Sequence, residues 1–134
     1  MNVFLSYTEA DAKWAGQLRA ALASAGYEVW NPAADLEPGH NWHLEVGRAL
    51  ERSDAMVVLL SPSSVHSPSV VSEIEYALSD ARFRGRLIPV LVKPTADIPW
   101  ILRRLPLVRA TKDAAETAER IAVALGKSPV AAVA

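Results

Sequence analysis

The sequence predicts an α/β fold in which a five-stranded parallel sheet lies between two layers of helices. Three observations lead there. Short apolar runs alternate with helical patterns about five times along the 134 residues, with no internal repeat and no linker. Such alternation builds crossover units whose helices cover both faces of a parallel sheet. The most apolar run, residues 55–60, holds six apolar residues in a row, as a strand buried on both faces does. Three of the helical patterns begin at Thr8, Asn41 or Ser67, and two end at Gly26 or Gly126, residues that start and stop helices.

In chain order, residues 3–5 read as a brief buried strand. Thr8-Glu9-Ala10-Asp11 reads as an N-cap with an acid at the third helical position, close to a capping box. Trp14, Leu18, Ala21, Leu22 and Ala25 follow at i, i+4, i+7, i+8 and i+11, one apolar stripe of a helix. Gly26 is placed to end that helix in the left-handed conformation. Residues 27–30 form a second short strand. A loop over residues 31–40 carries Pro32, Pro38 and Gly39, and Asn41 is suited to cap a helix with the stripe Trp42, Val46, Ala49 and Leu50. Residues 55–60 take the middle of the sheet. Ser67-Pro68 reads as an N-cap followed by proline at the first helical position. The helix beyond carries Val70, Ile74, Ala77, Leu78 and Ala81 at helical spacing. Residues 87–92 form a fourth strand, 98–104 a short helical turn, 107–108 a fifth strand, and 113–125, stopped by Gly126, the last helix. Residues 1–126 are expected as one domain and residues 127–134 as a frayed tail.

Five strands in so short a chain favour the flavodoxin-like order 2-1-3-4-5. Ligands of open α/β sheets bind where the chain reverses direction, here between strands 1 and 3, beyond the carboxyl ends of the strands. Topology alone therefore points to Ser6, Tyr7 and Thr8, and to the stretch from Ser61 to the helix containing Glu73.

Composition narrows the chemistry. Fourteen Lys+Arg against fifteen Asp+Glu give a formal charge of −1, without the basic excess usual for nucleic-acid binding. A six-residue apolar run is far short of the roughly 20 residues of a membrane span. The chain has no cysteine, which excludes thiol catalysis and thiolate metal sites and fits a reducing, cytoplasmic setting. No glycine-rich dinucleotide fingerprint, P-loop or GxSxG elbow is present. The receiver domains that share this fold need an acceptor aspartate after strand 3; Leu60-Ser61 stands there.

His40 and His43 with Glu45 read more simply as solvated residues at a helix start than as a metal site, so no metal is expected. His66 is a minor candidate in the site region. Glu73 falls at the edge of the buried arc formed by Val70, Ile74, Ala77 and Ala81, with Glu75 on the opposite flank. Periodicity alone favours the plain reading of Glu73, an acid near a helix start that suits the dipole. The loop Asp35-Leu36-Glu37-Pro38-Gly39 is either a solvated turn or a flap over the crevice.

Taken together, these pieces resemble a TIR (Toll/interleukin-1 receptor) domain of the bacterial type, over nearly the whole chain from residue 3 to about residue 125. The resemblance is carried by Phe4-Leu5-Ser6-Tyr7 with Asp11 and Trp14, and by Gly26-Tyr27-Glu28-Val29-Trp30. The segment Asp35-Leu36-Glu37-Pro38-Gly39-His40-Asn41-Trp42 is similar to the family's BB loop. Ser53-Asp54-Ala55, Val57-Val58-Leu59-Leu60-Ser61-Pro62, Ser67, Glu73 with Ala77-Leu78, and Ile88-Pro89-Val90 complete the series.

Many domains of this kind cleave NAD at the nicotinamide–ribose bond, as hydrolases or as ADP-ribose cyclases, and act as effectors or signal producers in antiviral defence. The resemblance implies Glu73 as the catalytic glutamate, because the family's acid lies early in the helix after strand 3 with an Ala-Leu-like pair behind it. It implies a nucleotide pocket lined by Ser6, Tyr7, Thr8, Asp35 and Trp42, with NAD as substrate and no cofactor. Nicotinamide leaves neutral, so one carboxylate that favours the developing oxocarbenium charge is enough. Two positions depart from the family pattern: Ser69 stands where a tryptophan is common, and Asn31-Pro32 where an acid is common. Trp42 or Trp100 is then the expected source of a stacking platform. The alternative function is a non-catalytic scaffold that associates with other TIR domains through the exposed flap. Self-association is expected under either reading.

Overall fold

The structure is a computed structural model and describes residues 1–30 and 42–126, apart from the side chains of Trp42 and His43. A parallel five-stranded sheet runs through it in the order β2-β1-β3-β4-β5. The strands are β1 (Asn2–Ser6), β2 (Glu28–Trp30), β3 (Ala55–Leu60), β4 (Leu87–Leu91) and β5 (Val108–Arg109). Helix α1 (Ala12–Ser24) joins β1 to β2, and α2 (Trp42–Arg52) leads into β3. Helix α3 (Pro68–Ser79) joins β3 to β4, and α4 (Trp100–Arg103) precedes β5. The last helix is α5 (Ala114–Gly126). Fold class and strand order are those expected from the sequence.

Alternation along the strands divides the core into two layers. Val3, Leu5, Ala55, Val57, Leu59, Ile88 and Val90 face α1 and α5, where Leu18, Leu22, Ile121 and Leu125 meet them. Phe4, Met56, Val58, Leu60 and Leu87 face α2 and α3, packed on Leu50, Val70, Ile74 and Ala77. All six residues of β3 are buried, so this strand supplies both layers and lies mid-sheet. Each fully buried Val or Leu contributes roughly 1.5–3 kcal/mol, which makes β3 the strand least tolerant of polar substitution. Phe4 stacks on Trp30 with ring centroids 5.2 Å apart, tying β1 to β2.

Local signals act mostly as expected. Gly26 ends α1 with φ +97°, a left-handed conformation that favours glycine. The Ser67 hydroxyl accepts from the Val70 N–H at 3.4 Å, with Pro68 opening the helix. Pro89 sits inside β4 opposite Val58. Val92 N–H bonds to Leu60 and Ala110 N–H to Leu91 O, so odd-numbered residues of β4 turn their backbone polar groups toward β5. β5 pairs only with Val90 and Leu91. Pro89 thus lacks its N–H where no strand is present to receive it.

Several expectations are corrected. Thr8 does precede a helical turn, a 3-10 segment at Glu9–Asp11, but its side chain makes no cap bond. Asp11 draws the Thr8 hydroxyl instead, at 3.3 Å. The stripe of α3 ends sooner than its spacing suggests: Leu78 is 44% exposed, and Ala81 lies in a separate 3-10 turn, Ala81–Phe83. Asp80 causes the break, since it leaves the helix in an extended conformation and accepts from the Arg82 N–H. β5 begins at Val108, so Leu107 lies outside it. The flap at residues 31–40, the Asn41 cap and the tail at 127–134 lie outside the described residues.

Candidate active site at the strand reversal

Ser6 is the last residue of β1, two positions beyond Phe4, and therefore faces the α2–α3 layer. Glu73 is in the second turn of α3, one turn past the Ser67 cap. The Ser6 hydroxyl donates to Glu73 Oε1 at 2.6 Å, a buried contact between residues 67 apart in sequence. Glu73 is 7% exposed, whereas Glu75 on the same helix is exposed. Burial strips water from the carboxylate and pushes its pKa up from 4.5 to about 7; the Ser6 hydrogen bond pulls the other way but is the smaller effect. A carboxylate so placed is shared between its two protonation states near neutral pH.

Beside it, a cleft of about 350 Å³ runs between α2 and α3. Val46, Gly47 and Leu50 form one wall, and Pro68, Ser69, Ser72, Glu73 and Tyr76 the other. Small residues keep the cleft open: glycine on one side and two serines on the other. Tyr76 supplies its aromatic surface, with its ring edge-on to Phe83 and its hydroxyl accepting from Arg82 at 3.1 Å.

A second polar group closes the crevice on the far side of β1. Asp11 is 3% exposed, and its Oδ2 accepts from the Ser61 hydroxyl at 2.5 Å. Ser61 and Ser64 bond reciprocally, the Ser61 N–H to Ser64 Oγ at 2.9 Å and the Ser64 N–H to Ser61 Oγ at 3.2 Å. These bonds fold the turn between β3 and α3. Lys93, just past β4, brings its ammonium to 4.0 Å from Asp11 Oδ1.

The residues singled out from sequence separate in space. Ser6 and Glu73 meet. Tyr7 packs against the opposite layer, with α1 and α5, and Thr8 turns toward Asp11. Trp42 opens α2, the helix that forms one wall of the cleft, but its side chain lies outside the described residues, as does Asp35. Trp100 is 69% exposed and does not line the cleft. His66 pairs with Asp97 at 3.1 Å on the surface, away from Glu73. Among the described residues, no three His, Asp or Glu side chains converge as a metal site requires. Sequence reading named Asp11 only as a capping and motif residue and did not single out Ser72 and Tyr76.

Comparison with known proteins agrees with this fold. The TIR domain of the Toll-related receptor TRR-2 from Hydra magnipapillata superposes with a TM-score of 0.70 at 23% identity, over 80% of this chain and 82% of that one. A metazoan TIR-STING receptor from C. gigas, solved with 2′,3′-cGAMP, gives 0.77 at 28% identity over 93% of this chain; the match spans 39% of that receptor. The CMP N-glycosidase BcmB of Clostridium botulinum shares the fold, with a TM-score of 0.61 at 20% identity over 92% of this chain and 98% of that one. No curated protein matches in sequence. The TIR domain family model matches residues 3–124. The chain belongs to the TIR domain family.

Proposed function

We propose that this chain cleaves NAD at the nicotinamide–ribose bond, with Glu73 as the catalytic carboxylate. One observation carries the reading: Glu73 is a buried acid at the strand reversal, held by Ser6 and opening on a cleft that takes a nucleoside-sized group. In the reaction, the bond between the ribose C1′ and the nicotinamide nitrogen breaks, and its electron pair stays on that nitrogen. Nicotinamide leaves neutral, and positive charge develops on the ribose. An ionised Glu73 in a poorly hydrated site stabilises that charge and can hold the ribose hydroxyls. Water then adds at C1′ and releases a proton, giving ADP-ribose; a nucleophile within the same molecule gives a cyclic product instead. In support, the CMP N-glycosidase BcmB, an enzyme named for breaking an N-glycosidic bond, has the same fold. In this reading the chain works in the cytoplasm, assembles with other TIR domains, and serves as effector or signal producer in antiviral defence.

The test is to incubate the purified protein with NAD over a range of protein concentrations and to measure nicotinamide. Release is expected to rise faster than linearly with concentration if assembly completes the site. Glu73→Gln is expected to lower it on the order of 10²–10³-fold. Release unchanged by that substitution overturns the role of Glu73. No release at any concentration overturns the enzyme reading and leaves the TIR–TIR scaffold.

A further inference from the structure

We propose that Asp11 is a positioning residue: through Ser61 it sets the turn that fixes the start of α3 and so brings Glu73 onto Ser6. The chain of contacts is continuous. Asp11 Oδ2 accepts from the Ser61 hydroxyl at 2.5 Å. Ser61 and Ser64 exchange bonds at 2.9 and 3.2 Å. The Ser67 N–H donates to Ser64 O at 3.0 Å, and Ser67 is the N-cap of α3. Glu73 follows six residues later on that helix.

Burying a carboxylate is unfavourable unless its partners compensate. Asp11 is compensated on one oxygen only, for its Oδ1 has no hydrogen-bond partner and meets Lys93 at 4.0 Å. An apolar residue would fill this place at lower cost if filling space were its role. What the acid adds is a strong acceptor for Ser61. The connection between β1 and α1 thus grips α3 twice: Ser6 holds Glu73 itself, and Asp11, five residues on, holds the turn that delivers it.

The role can be read from Glu73 alone, independently of turnover. Among the described residues lining its cleft, the other titratable group is Tyr76. The measurement follows the side-chain carboxyl resonance of Glu73 by NMR against pH in the folded protein. In the wild type its midpoint is expected near 7. In Asp11→Ala it is expected to fall at least one pH unit toward ordinary glutamate, because a displaced α3 admits water, and burial is the larger of the two effects on Glu73, so hydration outweighs the loss of the Ser6 bond. Asp11→Asn, whose amide oxygen can still accept from Ser61, is expected to restore it. If Asp11→Ala does not fold, Ser61→Ala removes the same bond from its other end and is expected to give the same fall. A residue that merely stabilises the fold would lower the denaturation midpoint and leave the Glu73 titration in place. An unmoved midpoint in folded Asp11→Ala or Ser61→Ala therefore overturns the proposal. The accompanying loss of turnover, at least tenfold in kcat with KM changed less than threefold, rests on the function proposed above. The titration does not, so the two failures are distinguishable.

Discussion

Replacing Glu73 by glutamine is expected to make the protein more stable above neutral pH while lowering the nicotinamide release proposed above. The folded state holds the Glu73 proton up to about pH 7, whereas an exposed glutamate releases it near 4.5. A raised pKa stabilises the fold fully below pH 4.5, and that contribution is lost as pH rises through 7. The interval from 4.5 to about 7, at about 1.4 kcal/mol per pH unit, comes to about 3 kcal/mol. Glutamine is neutral throughout, and its amide oxygen can still accept from the Ser6 hydroxyl. The variant therefore escapes the loss. It is expected to exceed the wild type by under about 1 kcal/mol at pH 5 and by about 3 kcal/mol at pH 8. Urea denaturation at the two pH values reads this directly. With slopes of about 1–3 kcal/mol per M, the midpoint gap at pH 8 is on the order of 1–3 M. A gap that is the same at pH 5 and pH 8 would refute the reasoning, since it would mean that Glu73 is not held protonated by burial.

Three further outcomes follow from the same coordinates. If Glu73 acts as proposed, its ionised form is the competent one, so kcat/KM for nicotinamide release is expected to rise through about pH 7 and level off above it; a flat profile from pH 5.5 to 8.5 removes the carboxylate from the rate-determining chemistry. Ser6→Ala deletes the hydrogen bond that holds the Glu73 pKa down, so the NMR midpoint of Glu73 is expected to move above 7. Gly26→Ala meets no atom within 4 Å but must adopt φ +97°, and a cost of about 1–2 kcal/mol in thermal or urea unfolding is expected from that conformation alone. An unchanged Gly26→Ala midpoint would show that the left-handed turn relaxes freely.

Much of the frame was legible because it rests on period and punctuation. The run at β3 lacks polar residues, and burial on both faces follows from that. Ser67-Pro68 and Gly26 mark helix ends through local chemistry, and each acts where it stands. Periodicity placed Glu73 at the edge of the buried arc but could not show what it would meet. Its hydrogen-bond partner is Ser6, which lies 67 residues earlier and reaches it only through the strand order. Tyr7 shows the converse. It is next to Ser6 in sequence, yet strand alternation turns it to the other layer, so grouping Ser6, Tyr7 and Thr8 as one lining segment overlooked the period of two. Leu78 was assigned to the core on spacing alone, but the extended Asp80 ends the helix before that face is covered.

The reversal between β1 and β3 does more than open a crevice. It sets the end of β1 beside the start of α3, so a hydroxyl on one and a carboxylate on the other can meet without any special loop. The pairing of Ser6 with Val58 places the end of β1 two residues short of the end of β3, and that offset leaves room for the turn carrying Ser61 and Ser64. Asp11 then fills the space above β1 and holds that turn. Each of these polar groups is buried and would be costly in isolation. Together they satisfy one another, apart from Asp11 Oδ1 and the portion of Glu73 that faces the cleft. The stability forgone above pH 7 by ionising Glu73 is the thermodynamic counterpart of a poorly solvated carboxylate. That same poor solvation would let it act strongly on a positive charge forming within reach. A stabilising but inactive Glu73→Gln variant would join the two, because both effects then arise from one buried charge.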